Sequence, residues 1–349
     1  MSMLLPPFEL HEPRTVEEAA RLVRELGADK VDFIAGGSDL LPNYKWGVNT
    51  RPHVVSLSRV EGLAEATPER LGALVTLRDL ERHAGLEQVF PVLGRTASLI
   101  ASPLIRNSAT LGGNLLLENR CFYFNQTYFW RESINFCLKA DGDQCHVVPQ
   151  KEKCYSTFSA DLPAPLITLG AVFELVGPEG RRTLPAATFY TGLDGIHRNQ
   201  KKPGELLTFV HIPRESQGLR ATYQKLRLRD SWDFPELGIA ASARFEGDRV
   251  TELHLVANAL EMWPVVMDQA VEPYLGGALT DDVIAKIAHH VEENVRPVKN
   301  TSLPPAYRKK MAGVYTKRAL RELRDGPAAL PSSNGNGNGN GHGHPVRFQ

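Results

Sequence analysis

A chain of 349 residues is too long for one ordinary domain and suits two or three. Its 42% hydrophobic and 23% charged residues fit a soluble globular protein with a proper core. Lys plus Arg and Asp plus Glu balance at 40 each, so no net field draws nucleic acid or anionic lipid. No apolar run is long enough to span a bilayer, and residues 1–11 lack a secretory pattern, so the expected compartment is the cytoplasm.

In chain order, Thr15-Val16-Glu17-Glu18 reads as a capping box that opens a helix. Val16, Ala19, Ala20, Val23 and Leu26 recur at helical spacing, and Gly27 suits the C-terminal cap. Strands are predicted at 31–35, 54–57 and 71–77, and helices at 77–88 and 90–101. Further strands are predicted at 171–176, 205–212 and 221–229. A hairpin is expected over 239–245 and 250–257, split by Gly247-Asp248. Two helices, 280–295 and 305–324, close the ordered part. Strands and helices mix without strict alternation, so the expected class is α+β with a boundary near residue 218. Residues 326–349 are rich in Asn and Gly and bury nothing, so they read as a disordered tail, with His342 and His344 as part of it.

Two loops carry glycine pairs. Strand 31–35 runs into Gly36-Gly37-Ser38-Asp39, and Thr110-Leu111-Gly112-Gly113-Asn114 lies about seventy residues on. Glycines let successive backbone N–H groups face one concavity, which suits a phosphate without a net positive charge. Neither loop is a Rossmann fingerprint or a Walker loop, and each alone also reads as a plain tight turn. Together they suit one extended dinucleotide gripped from two sides. Asp39 would repel a pyrophosphate, so its side chain is expected to turn away and bond to local backbone N–H groups.

All four cysteines, Cys121, Cys137, Cys145 and Cys154, fall in one 34-residue window directly after the second loop. Such crowding points to a single four-thiolate site. The spacing contains no Cys-x-x-Cys knuckle, so zinc, an iron–sulfur cluster and two disulfides all stay open, and a reducing compartment disfavours the last. His146 reads as a polar neighbour. Nine of the 27 aromatic residues lie within 121–158, enough to form a water-excluding shell around a cluster or a small local core.

With these residues in view, the chain resembles the flavoprotein subunits of the molybdenum hydroxylase family, which includes xanthine dehydrogenase and carbon monoxide dehydrogenase. The similarity runs from the N-terminal helix to about Arg324. It is carried by Ala35 to Leu41, Thr110 to Asn114, Ser159-Ala160-Asp161-Leu162-Pro163, Lys225 with Arg227 and Arg229, and Ala306 to Met311. The resemblance implies a two-part FAD-binding domain of the PCMH or vanillyl-alcohol-oxidase type over 1–218. A smaller α+β domain would follow over 219–325.

Carried over by position, the flavin contacts would be Ile34, Ala35, Gly36, Gly37, Ser38, Asp39, Leu40 and Leu41, then Ile100, Thr110, Leu111, Gly112, Gly113 and Asn114. Asp161, Leu206 and Lys225 would complete them. Asp161 would accept from a ribose hydroxyl or hold a loop, and Lys225 would offset charge on a reduced flavin. Plain core roles for Ile100 and Leu206, and a solvated basic face for Lys225, stay open. Ser38 stands where the family usually has Thr.

Most members run directly from the second glycine loop to the Asp-Leu-Pro segment, whereas here about forty residues intervene, 119–158. That insertion is similar to one in the 4-hydroxybenzoyl-CoA reductase branch, notably at Arg120-Cys121, Phe124-Asn125-Gln126, Cys137-Leu138-Lys139 and Gly142 to Val147. There it holds a 4Fe–4S cluster, so the resemblance assigns the four cysteines as cluster ligands. It implies a molybdenum-cofactor large subunit and a 2Fe–2S small subunit, assembled as a dimer of heterotrimers. Ferredoxin would supply electrons for dehydroxylating an aromatic CoA thioester. No residue of this chain is assigned to the organic chemistry. An oxidative hydroxylase with reversed flux and a zinc-stapled interaction module remain alternatives.

Overall fold

The computed structural model describes residues 4–326, so the expected tail beyond Gly326, with His342 and His344, lies outside the described residues. The N-terminal part comprises β1 (Glu9–His11), α1 (Val16–Leu26), β2 (Val31–Ile34), α2 (Leu40–Lys45) and β3 (His53–Ser56). Its three strands form a parallel sheet in the order β1-β3-β2. Helix α1 starts as its cap predicts: Thr15 Oγ1 accepts from the Glu18 N–H at 3.1 Å. Glu18 reaches back to the Arg14 N–H at 2.8 Å, one residue earlier than a strict capping box. Gly27 ends the helix at φ +94° and donates to Val23 O.

The next part contains β4 (Ala66–Thr67), β5 (Arg70–Gly72), α3 (Leu77–Arg82), α4 (Ala84–Val89), α5 (Pro91–Ser98), α6 (Pro103–Arg106) and α7 (Leu111–Leu115). After the cysteine segment, which holds only α8 (Tyr128–Ser133), come α9 (Pro163–Thr168), β6 (Val172–Gly177), β7 (Gly180–Pro185), α10 (Ala186–Phe189) and β8 (Leu206–His211). Five strands make an antiparallel sheet in the order β4-β5-β8-β6-β7. The predicted strand 71–77 stops at Gly72, and the single helix predicted over 77–88 is two. His83 breaks it by leaving helical geometry, and its Nδ1 caps the next helix by accepting from the Leu86 N–H at 3.2 Å.

The C-terminal part has β9 (Arg220–Leu226), β10 (Leu237–Glu246), β11 (Arg249–Asn258), β12 (Val265–Val266), α11 (Asp281–Asn294) and α12 (Pro305–Asp325). Its antiparallel sheet runs β12-β11-β10-β9, and the predicted strand 221–229 ends at Leu226 in a turn. Helices α11 and α12 pack Ile284, Ile287, Val291, Ala319 and Leu320 against Ile239, Leu253 and Leu255. The fully buried α9 lies against this sheet and is pinned to it, Thr168 O accepting from Ser242 Oγ at 2.7 Å. The fold is thus α+β, mixed helix and sheet, and Asp161 and Leu162, just before α9, lie against β9 through the bonds of Asp161 to Tyr223 and Lys225.

Candidate flavin and cysteine site

The first glycine loop touches the turn that leads into the second. A Cβ on Gly36 would overlap the Ser108 carbonyl, so the first loop needs glycine there because that turn crosses it. Gly37 sits at φ +70°, a backbone conformation that costs an L-residue about 1–2 kcal/mol. Among the described residues, the N–H groups of Gly36, Gly37 and Ser38 have no protein acceptor. Consecutive unpaired amides beside a left-handed glycine form the kind of concavity that takes a phosphate.

The second loop is the first turn of α7, where Thr110 Oγ1 accepts from the Gly113 N–H at 3.1 Å. Gly112 packs on Ala73, and its N–H donates to Ala73 O at 2.8 Å. The expectation for Asp39 holds only in part. It turns toward other residues, yet its carboxylate pairs with the Arg120 guanidinium and accepts from Asn43 Nδ2 at 3.3 Å, not from local backbone. The stronger partner is a charge brought in from the cysteine segment.

Asn114 links the second loop to the Asp-Leu-Pro segment, its Oδ1 accepting from the Leu162 N–H at 3.2 Å. Asp161 is paired with Lys225 Nζ at 3.1 Å, and both side chains are nearly sealed, at 3% and 2% exposure. Tyr223 donates to the same carboxyl at 2.8 Å. Burial raises the Asp161 pKa, with Lys225 and Tyr223 acting against it. Lys225 Nζ also donates to Leu99 O at 2.9 Å, next to Ile100. So Lys225 is not part of a solvated basic face, whereas Arg229 is exposed and pairs with Asp233. Leu206 sits apart, in the core with Ala19, Val23, Val55 and Phe209. Ile100 packs in the main core.

All four cysteines are free thiols, which removes the disulfide reading. They line one cavity, together with Tyr123, Phe124, Leu138, Lys139, His146, Val147 and Ser156. No three of the four sulfurs lie within 4.8 Å of one another; among the described residues only Glu9, His11 and His53 bring three potential ligand atoms that close. In that trio the two imidazoles already bond to each other at 3.3 Å. Tetrahedral zinc with bonds of about 2.3 Å holds its thiolates about 3.8 Å apart. The four sulfurs are thus more widely spaced than around a bound zinc ion.

Burial above all pushes the Cys121 thiol up to about 12 and also raises Cys137 and Cys154. A metal centre therefore has to displace protons to bind. Asn125 Oδ1 holds the Cys121 N–H at 3.0 Å, and its buried Nδ2 has no protein acceptor. Such a free donor is what the acceptor sulfurs of a cluster can use.

Contacts between the window and the rest of the chain hold it in place. The segment leaves and returns at one point, where Arg120 and Thr157 exchange backbone hydrogen bonds of 2.9 and 2.8 Å. Arg131, 2% exposed, donates to Gln126 O, Trp46 O and Gly47 O. Asp194 accepts from the Cys154 N–H at 3.2 Å, and a Cβ on Gly195 would collide with Ser156 Oγ beside the Cys154 sulfur. Lys139 lies between Glu118 Oε1 (2.5 Å), Asn119 O and Ser156 Oγ, and Arg198 holds the other Glu118 oxygen at 2.6 Å. Burial would raise Glu118, but Lys139 and Arg198 outweigh it and hold the carboxyl at about 2.

Sequence reasoning missed Glu118, Asp194, Gly195 and Arg198, which lie far from the cysteines in the chain or outside any motif. His146 is the expected polar neighbour, bonded to Phe136 O at 2.5 Å. The aromatic shell is thinner than expected. Tyr123 and Phe124 line the cavity, Phe158 belongs to the main core, and Phe122, Tyr128 and Phe129 face solvent.

The two glycine loops sit on an α+β scaffold whose class is given by comparison with known proteins. Residues 6–215 match the model of the FAD binding domain in molybdopterin dehydrogenase, and 221–323 match the CO dehydrogenase flavoprotein C-terminal domain. The chain belongs to this family of FAD-binding subunits of molybdenum hydroxylases. It is 32% identical to the aldehyde oxidoreductase FAD-binding subunit PaoB of Escherichia coli, over 82% of this chain and 92% of that one. It is 28% identical to the carbon monoxide dehydrogenase medium chain of Afipia carboxidovorans, over 92% and 98%. A solved structure, reconstituted CO dehydrogenase from Oligotropha carboxidovorans, superposes with a TM-score of 0.76 at 26% identity, over 93% of this chain and 100% of that chain. None of these three names an iron–sulfur centre, so the cysteine segment rests on this chain's own geometry. No helix among the described residues is long and apolar enough to cross a membrane.

Proposed function

We propose that this chain is an electron-relay subunit that holds FAD on its two glycine loops and a 4Fe–4S cluster on Cys121, Cys137, Cys145 and Cys154. The observation that carries the reading is the convergence of four free thiols on one cavity, more widely spaced than around a bound zinc ion, in a FAD-binding scaffold. When bound, FAD exchanges one or two electrons and a cluster exchanges one, which suits the pair to relay duty. The loop amides at Gly36 to Ser38 would receive the pyrophosphate. The Asp161–Lys225 pair fixes the Leu99 carbonyl and the Asp-Leu-Pro turn. Asp39 and Arg120 tie the first loop to the first cysteine.

In this reading the FAD-binding part takes residues 1–218 and the C-terminal part 219–325. Its partners are a molybdenum-cofactor large subunit and a 2Fe–2S small subunit, in a cytoplasmic complex most like 4-hydroxybenzoyl-CoA reductase with ferredoxin as donor. Iron, zinc, sulfide and flavin analysis of the purified complex, with EPR after reduction, tests the cofactors. The reading expects FAD and iron in excess of the 2Fe–2S centres; zinc on the cysteines without a further reducible signal refutes the cluster. Turnover driven by reduced ferredoxin supports the reductive branch, whereas turnover only toward artificial oxidants refutes it.

A further inference from the structure

Resting on that reading, the geometry points to Lys139 as the charge that sets the potential of the four-cysteine centre, with Glu118 as its opposing trim. Among the described residues that line the cavity, Lys139 is the one Lys or Arg. Its side chain is 4% exposed, so water does little to screen it. All three ammonium donors are used, by Glu118 Oε1 at 2.5 Å, Asn119 O at 3.2 Å and Ser156 Oγ at 3.3 Å. Ser156 Oγ lies 3.3 Å from Cys154 Sγ, accepting from the free thiol and placed to donate to it as a thiolate ligand. The cation is thereby fixed one hydroxyl away from a ligand sulfur and cannot swing out.

A four-thiolate cluster is anionic and gains one more negative charge on reduction, so a fixed cation beside it favours the reduced form. Glu118 works in the opposite sense. Its carboxylate touches the same ammonium, and Arg198 on its far side (2.6 Å) leaves the three side chains with one net positive charge. Glu118 does not line the cavity, so its effect is the smaller. A purely structural salt bridge makes no such prediction of opposite signs. Both residues are positioning residues: neither is a ligand.

The test is an EPR-monitored redox titration of the intact complex carrying Lys139→Met, Lys139→Arg or Glu118→Gln. Lys139→Met is expected to shift the reduced-to-oxidised ratio at fixed potential at least tenfold toward oxidised, which is 59 mV for a one-electron couple. Glu118→Gln is expected to shift it the other way, and Lys139→Arg to stay within threefold of wild type. Shifts of the same sign in Lys139→Met and Glu118→Gln, or none in Glu118→Gln, overturn the inference. If Lys139→Met loses its iron, the sign of the Glu118→Gln shift decides alone. Absence of the extra cluster signal from wild type sinks the cluster itself, and this inference with it. A normal wild-type signal with unmoved variants sinks only the role of Lys139.

Discussion

The glycine loops and the cysteine segment lie side by side yet are built on different principles. The loops are set by backbone. Gly36 is pressed on the Ser108 carbonyl, Gly112 on Ala73, and Leu77, Leu111 and Gly112 donate to Ala109, Val75 and Ala73 in main-chain bonds of 2.8 Å. The cysteine segment has one six-residue helix and no named strand. It is held by charged side chains sunk into it or beneath it: Arg131 on two carbonyls of the Trp46 turn, Lys139 on Glu118, and Arg120 on Asp39. A ligand gripped by main chain needs residues that are missing a side chain. A centre inserted where no ladder exists needs buried ions to give it shape, and these carry the cost of desolvation unless fully bonded.

That contrast sets what mutations should do. Gly36→Ala should be the most damaging, because the new Cβ meets a backbone oxygen that cannot move aside. A loss of about 3 kcal/mol or more in stability is expected, with flavin lost, read by thermal unfolding and flavin absorbance. Arg131→Ala should cost about 2–3 kcal/mol by removing a buried guanidinium that satisfies three loop carbonyls. Limited proteolysis should then cut within 120–157 while flavin stays bound; release of flavin without cutting would break the distinction between the two regions. Thr15→Ala, remote from both, should cost about 1 kcal/mol in chemical unfolding and change neither iron nor flavin.

Much of this was legible in the chain. Helix α1, the hairpin β10–β11 and helices α11 and α12 follow from caps, turn residues and apolar period. Both glycine loops and the four-thiol cluster were visible as local patterns. The chain does not reveal how distant charges meet. Glu118 and Arg198 are eighty residues apart, and Asp39 and Arg120 about as far, so their pairing depends on the tertiary path. The helix predicted over 77–88 failed for a local reason, since periodicity continued through His83 while its imidazole took over as a cap. The convergence of the four sulfurs on one cavity likewise depends on the folded path, since their spacing in the chain matches no familiar metal motif.

The most direct test of the cluster-in-flavoprotein account is cofactor analysis of the complex carrying Cys137→Ala. Cys137 is buried on the cavity and makes no contact with either glycine loop's backbone. The account predicts that iron and sulfide fall by one 4Fe–4S complement while FAD stays at the wild-type level. Iron and sulfide equal to wild type would contradict it.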